Sequence, residues 1–213
     1  MPKLRMQSFA VSIDGYGAGP NQSREHPLGT TGPELMEWFF PTRLWRSMQG
    51  HDGGENGVDN GFAEQGFANI GAWILGRNMF GPVRGPWPDE SWKGWWGDEP
   101  PYHVPVFVLT HYARAPLEMK GGTTFHFVTD GFDAAYAQAR ETAGADGVDI
   151  AGGASTVRQA LQAGVIDELW LDIVPVLLGS GESIFDGVVE FDFVPEEVLQ
   201  SPLATHVCYR RAG

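Results

Sequence analysis

Apolar and polar positions along the chain fall into short blocks with two different periods. Residues 3–12 carry Leu4, Met6, Phe9 and Val11 as apolar members, and Asp14-Gly15 then forces a turn, so this block is predicted as a first, central strand. A polar stretch rich in Gly and Pro covers 20–32. A helix is expected after Pro33, with Leu35, Trp38, Phe39 and Trp45 on one side and Pro41 interrupting it. Residues 50–58 read as a glycine loop. A second helix is predicted over 59–69, with Phe62 and Phe67 inward and Asp59 as its N-cap, leading into a strand over 73–75.

The stretch 81–105 has no periodicity and holds Trp87, Trp92, Trp95 and Trp96 among prolines. Four tryptophans argue against disorder, so it is expected to be a long ordered loop or short helix. Those rings read either as a stacking wall for a flat heterocycle or as the packing of a loop at a subunit contact. Short apolar runs over 106–110 and 125–129 predict buried strands. A helix follows over 133–143, with Phe132, Tyr136, Ala139 and Ala143 at helical spacing and Gly144 as its stop. Residues 148–151 form the next predicted strand, and 156–163 the next helix, with Val157, Ala160 and Leu161 inward and Gly164 ending it. A strand over 168–178 and a hairpin of 191–199 with 205–211, turning near Ser201-Pro202, complete the pattern.

Strands alternating with helices and then strands alone describe an α/β chain, with a mostly parallel sheet covered on both faces and an antiparallel edge. At 213 residues, without repeats or a linker, residues 1–213 are expected to form a single domain.

The balance of 14 Lys and Arg against 27 Asp and Glu gives a net charge of -13, and no basic patch offsets it. A nucleic-acid partner is therefore not expected, whereas backbone N–H groups and one or two arginines still suit a small anion such as a dinucleotide. No apolar run approaches the roughly 18 residues that span a bilayer, so no membrane partner is expected. The single cysteine, Cys208, has no partner for an internal disulfide, and the N-terminal residues do not resemble a signal peptide, which points to the cytoplasm. Cys208 reads as structural. His51, Asp52 and Glu55 lie in a glycine loop without a second histidine nearby, and no metal site is expected there.

Three strand ends carry candidate chemistry. Val148-Asp149-Ile150-Ala151-Gly152-Gly153-Ala154-Ser155-Thr156-Val157 runs from a strand through paired glycines into a helix, where free N–H groups and the helix dipole favour a pyrophosphate. It is neither the G-x-G-x-x-G fingerprint nor a P-loop, and a tight turn without a ligand reads equally well. Ile74-Leu75-Gly76-Arg77-Asn78-Met79 places an arginine fork at the carboxyl end of a strand, suited to a phosphate ester. Leu109-Thr110-His111 adds a hydroxyl and an imidazole.

These segments occur in an order that resembles the dihydrofolate reductase superfamily. They are Ser12-Ile13-Asp14-Gly15, Gly76-Arg77-Asn78-Met79-Phe80, Leu109-Thr110, Ala151-Gly152-Gly153-Ala154, Asp167-Glu168-Leu169 and Pro175-Val176-Leu177-Leu178-Gly179-Ser180-Gly181. The closer likeness is to the reductase domain of bacterial riboflavin biosynthesis, over nearly the whole chain. The resemblance implies a three-layer αβα sandwich and an NADPH-dependent reductase that transfers a hydride to a small heterocyclic or carbonyl acceptor. It implies that Gly76, Arg77, Asn78 and Met79 with Thr110 and His111 hold the 2′-phosphate and adenosine end. Ala151, Gly152, Gly153, Ala154, Ser155, Thr156 and Val157 would hold the pyrophosphate. Ala10, Ile13 and Gly17 would border the nicotinamide, and Asp14 would touch substrate. It further implies a cis bond in the glycine pair and a homodimer.

By spacing, Asn60 takes the position of the acid found in dihydrofolate reductases, with Asp59 one residue earlier and Glu64 one turn later as candidate catalytic acids. Their plainer readings are an N-cap and a solvated helix charge. The stretch between Asp14 and Asp59 is longer than in those enzymes, so a differently built substrate pocket is expected. Two rivals share the fold: a protein that binds a nucleotide or flavin-like ligand without turnover, and a scaffold that has lost the cofactor site.

Overall fold

A computed structural model describes residues 3–81 and 84–212; Pro82 and Val83, within the tryptophan-rich stretch, lie outside the described residues. In chain order the elements are β1 (Leu4–Ser12), α1 (Arg43–Met48), α2 (Val58–Gly66), β2 (Ile70–Gly76), α3 (Arg77–Phe80), β3 (Pro105–Leu109), β4 (Leu117–Glu118) and β5 (Thr124–Val128). They continue with α4 (Phe132–Ala143), β6 (Gly147–Gly152), α5 (Ala154–Gln162), β7 (Glu168–Val174), β8 (Phe193–Gln200) and β9 (Thr205–Arg211). Contacts divide the chain into one unit of Met1–Arg5 with Asn69–Ile166 and a second of Met6–Ala68 with Asp167–Gly213. β1 contributes to both.

In the first unit the strand order is β4-β5-β3-β2-β6-β1. β3 pairs in parallel with β5 and β2, β2 with β6, and Leu4 and Arg5 with Val148 and Asp149 of β6, while β4 runs antiparallel to β5. Ile74, Val106, Val108, Val148 and Ile150 are each fully buried. Such unbroken apolar runs fit strands covered on both sides, and α4 packs on β2, β3 and β6 through Ala135 and Ala139, whose small side chains admit close approach. The tryptophans of the long loop are pinned by their indole N–H groups: Trp92 donates to the Phe80 carbonyl at 2.7 Å, Trp95 to that of Asn78 at 3.4 Å and Trp87 to that of Tyr112 at 2.9 Å. The loop is thus ordered by packing onto α3 and the end of β3.

In the second unit the order is β1-β7-β9-β8, with β7–β9 and β9–β8 antiparallel, as the C-terminal pattern predicted. Its core gathers Ala10, Leu35, Trp38, Phe39, Ala63, Val174 and Ala204. Boundaries shift where local chemistry demands it. Pro41 splits the helix expected after Pro33 into a 3₁₀ turn, Gly32–Met36, and α1, which restarts at the N-cap Thr42, whose hydroxyl accepts the Trp45 N–H at 3.1 Å. α2 begins one residue early with Gly57 in the cap position, so Asp59 sits within the first turn and is not its cap. β7 ends at Val174 because Pro175 has no N–H to continue the ladder. The two-residue β4 is too short to leave a periodic signal.

Cys208 is buried, and burial pushes its thiol up to about 12, with the Glu168 carboxylate adding to the effect. A thiol so placed holds its proton and has no nucleophilic role at neutral pH. Among the described residues, no helix is long and apolar enough to cross a membrane.

Candidate functional site

Chemistry-bearing residues collect in each unit separately. In the first, β2 and β6 end side by side with Leu75 opposite Gly152. Gly152 has φ +137° and Gly153 φ +88°, the latter leading directly into α5. A Cβ on Gly153 would meet the Gly76 Cα at 3.2 Å, and one on Gly76 would meet the Thr156 hydroxyl at 2.7 Å. Glycine at both positions therefore lets two backbones touch. Thr156 N–H and Val157 N–H donate to the Gly153 carbonyl at 2.8 and 3.1 Å, and the Thr156 and Val157 side chains are buried. In the first turn of α5 Ser155 is the exposed residue. The Met79 thioether lies against Gly152. The glycine pair is trans, as are the other described peptide bonds, which departs from what the resemblance implied.

Arg77 opens α3, and its guanidinium carbon lies over the Trp87 ring, 3.0 Å from the centroid. All three of its nitrogens are buried without a hydrogen-bond partner. Burial, reinforced by the Arg114 charge, lowers it to about 10, which still leaves a full cation at neutral pH. Arg114 joins the same aromatic cluster, 5.1 Å from the Trp87 centroid and 5.2 Å from that of Phe127, and its Nη2 donates to the Glu90 carbonyl at 2.7 Å. Sequence reasoning passed over Arg114. The signal was available: a second arginine follows Thr110 by four residues at the same strand end. At the same strand end the Thr110 hydroxyl accepts the Tyr112 N–H at 3.2 Å and His111 is exposed. Asn78 contributes its carbonyl to Trp95.

In the second unit, Ala10 is part of the core and Ile13 is 62 % exposed. The Gly17 N–H donates to the Glu182 carbonyl at 2.9 Å. Both oxygens of Asp14 are occupied, one accepting Leu178 N–H at 3.2 Å and the other Gly179 N–H at 2.7 Å. Hydrogen bonding to Ser12, then to those backbone groups, holds this carboxyl below its ordinary value. Asp14 thus fastens the turn after β7. Glu64 pairs with Arg43 on the surface, and hydrogen bonds from Asn60 and Arg43 lower its carboxyl below the usual range, a poor setting for a proton donor. The Asn60 carbonyl oxygen accepts Leu44 N–H at 2.9 Å, joining α2 to α1.

Asp59 is placed quite differently. Its Oδ1 lies 2.7 Å from His206 Nε2, and His206 Nδ1 lies 2.6 Å from Asp172 Oδ1. His206 and Asp172 face each other across the β7–β9 register, and both are fully buried. The imidazole stacks on Phe62 and meets the edge of Trp38, while the Asp59 side chain is 17 % exposed. Burial alone would push the imidazole down, but its bonds to Asp172 and Asp59 carry it above its ordinary value. Burial raises Asp172 above the usual carboxylate range, against the pull of His206.

Residues 2–194 match the model of the RibD C-terminal domain. The chain belongs to the RibD C-terminal domain family. Its fold is the dihydrofolate reductase-like α/β fold that the motif order implied. Similar solved structures include a putative riboflavin biosynthesis protein from Shewanella sp. PV-4, with TM-score 0.59, 20 % identity and full coverage of both chains. A pyrimidine reductase-like protein from Corynebacterium diphtheriae has TM-score 0.52 and 17 % identity, over 100 % of this chain and 92 % of that one. A diaminohydroxyphosphoribosylaminopyrimidine deaminase/5-amino-6-(5-phosphoribosylamino)uracil reductase from Thermotoga maritima has TM-score 0.56 and 13 % identity; this chain is covered to 99 % and spans 57 % of that protein. At these identities the likeness is one of fold. No curated protein matches. Within this RibD C-terminal domain the glycines let the ends of β2 and β6 approach closely, and the Arg77 guanidinium is a buried cation whose nitrogens lack hydrogen-bond partners.

Proposed function

We propose that this protein is an NADPH-dependent reductase that delivers a hydride to a small, flat heterocyclic or carbonyl acceptor. The observation that carries the reading is the Arg77 guanidinium, its nitrogens buried without a hydrogen-bond partner beside a second arginine. An unpaired buried cation is costly, and a phosphate dianion offsets that cost better than any neutral ligand. Membership of the RibD C-terminal domain family supports a nicotinamide cofactor, as does the close approach of Gly76 and Gly153. Gly152, Gly153 and the first turn of α5 hold the pyrophosphate, and Arg77 with Arg114 holds the 2′-phosphate. Because Trp87 covers the guanidinium, binding includes displacement of that ring. When bound, the cofactor supplies the hydride; the protein supplies placement and charge stabilisation.

Titration of tryptophan fluorescence with NADPH and NADH, repeated on Arg77→Ala, tests this. The variant is expected to lose roughly tenfold or more in NADPH affinity, matching the 1.5–3 kcal/mol of a charge-assisted hydrogen bond, with NADH little changed. Equal losses for both dinucleotides would remove the 2′-phosphate assignment. Saturable binding without oxidation of NADPH across a broad panel of acceptors would favour a ligand-binding protein instead.

The same reading extends to a homodimer. Val194 and Val198 of β8 are 52 % and 54 % exposed, and β8 ends the strand order β1-β7-β9-β8, so we assign this edge strand to a second copy. Sedimentation at micromolar concentration is expected to give twice the chain mass; a monomer there discards the assignment.

A further inference from the structure

We propose that Trp87 is an internal competitor for the anion site of the first unit, and that it holds down the affinity for a dinucleotide carrying a 2′-phosphate while leaving its unphosphorylated counterpart alone. The proposal rests on the reductase reading above and adds the residue that sets how far one cofactor is preferred to the other.

Two cations share the indole. The Arg77 guanidinium carbon is 3.0 Å from its centroid and that of Arg114 is 5.1 Å away. Nε, Nη1 and Nη2 of Arg77 and Nη1 of Arg114 are buried without a hydrogen-bond partner, which leaves four sets of donors at one place unmet. An aromatic face attracts a cation but offers no oxygen to an N–H. The neighbouring Arg114 charge adds repulsion to the burial that already disfavours the Arg77 cation. A phosphate dianion supplies what the ring lacks, oxygens for the bare N–H groups and negative charge for the guanidinium. Since those nitrogens are closed to solvent and the ring lies on the Arg77 guanidinium, phosphate and indole exclude each other.

The way Trp87 is held suits a part that leaves and returns. Trp92 and Trp95 fasten the long loop to α3 through the carbonyls of Phe80 and Asn78, whereas Trp87 bonds across to the Tyr112 carbonyl at 2.9 Å. Phe80 and Phe127 meet it at steep angles, with centroids 5.8 and 5.3 Å away. Gly85, two residues earlier, has φ +84° and open space around its would-be Cβ, so the backbone there has room to turn. The ring can swing away while Trp92 and Trp95 stay anchored. A ligand that needs the guanidinium binds only the fraction of chains in which the ring has left, and its apparent affinity falls by that fraction. A dinucleotide without the 2′-phosphate has no group to place on Arg77 and meets no such penalty.

Calorimetric titration of the full chain tests this without relying on the fluorescence of the ring that is removed. Trp87→Ala is expected to bind NADPH and adenosine 2′-phosphate about tenfold more tightly than the wild type, the scale of a partly desolvated cation–π contact, with NADH and adenosine unchanged. The gain should vanish when Arg77→Ala is already present, a coupling that a merely structural ring would not produce. Trp87→Phe keeps a ring between Phe80 and Phe127 but gives up the bond to Tyr112, and its affinity is expected to fall between the two. That variant carries the same test if the alanine variant does not fold. Variants that bind NADPH no more tightly than the wild type, or that gain equally for NADH, overturn the competitor while leaving the reductase standing. A wild-type protein that binds neither dinucleotide overturns both.

Discussion

Replacing Gly153 by alanine is expected to weaken dinucleotide binding by on the order of 10- to 100-fold while leaving the chain folded. Two effects act together. Gly153 has φ +88°, where a side chain strains the backbone, and strain of this kind costs about 1–3 kcal/mol. The new Cβ would also come within 3.2 Å of the Gly76 Cα, and that contact is with backbone, which cannot rotate away. Relief comes only by parting the ends of β2 and β6, the surface assigned to the pyrophosphate. With about 1.4 kcal/mol per factor of ten, the strain translates into the stated range. Gly61→Ala is the matched control, because Gly61 lies inside α2 with nothing within 4 Å of its would-be Cβ. There alanine is expected to stabilise by about 0.5–1 kcal/mol and to leave binding untouched. Fluorescence titration of both variants checks the pair; unaltered affinity in Gly153→Ala would show that the cofactor does not use this turn.

His206→Ala is expected to cost about 3–5 kcal/mol of folding stability, the scale found when one member of a buried ionic group is removed. Asp172 would remain fully buried without its counter-charge, and Phe62 and Trp38 would face a void. The loss carries a pH signature. His206 has a folded pKa above its unfolded value, so the folded state binds more protons between the two, and stability falls as pH rises through that window. The contribution is complete below about 6.5, the ordinary histidine value, and disappears as pH passes the folded pKa. Asp172, also raised, gives a slope of the same sign in a more acid window above the ordinary aspartate value. Urea unfolding of the wild type is therefore expected to show stability falling above pH 6.5, by up to about 1.4 kcal/mol per pH unit for one proton. His206→Ala should be flat over that interval. An identical slope in both proteins would sink the assignment.

Much of the fold was legible because its signals are local. Alternation in 205–211, unbroken apolar runs such as Val106-Phe107-Val108, and glycines at 144 and 164 mark strands and helix ends without reference to distant residues. The paired glycines were legible for the same reason, since a strand, two positive-φ residues and a helix adjoin in sequence. The histidine cluster was not. Asp59 and His206 are 147 positions apart, and they meet only once α2 has laid Phe62 against the face of β7 and β9. Two hints existed in hindsight: Asp172 is an acid in the interior of β7, between Leu171 and Ile173, and His206 directly precedes the apolar Val207-Cys208 of β9. Arg114 and Trp87 escaped because the loop bearing Trp87 has no period from which a neighbour could be inferred.

The interleaving of the two units sets an order on synthesis. Residues 69–166 supply the rest of the first unit once β1 has left the ribosome, so its sheet can close while later segments are still being made. The second unit waits. Its early half, carrying Asp59, Phe62 and Trp38, stays without β7 and β9, and Asp172 emerges 34 residues ahead of the imidazole that neutralises it. A ribosome stalled before residue 206 would expose an apolar face and two uncompensated acids, a species for chaperones or proteases to sort. The ionic cluster can thus assemble only after residue 206 has emerged, later than every segment of the first unit.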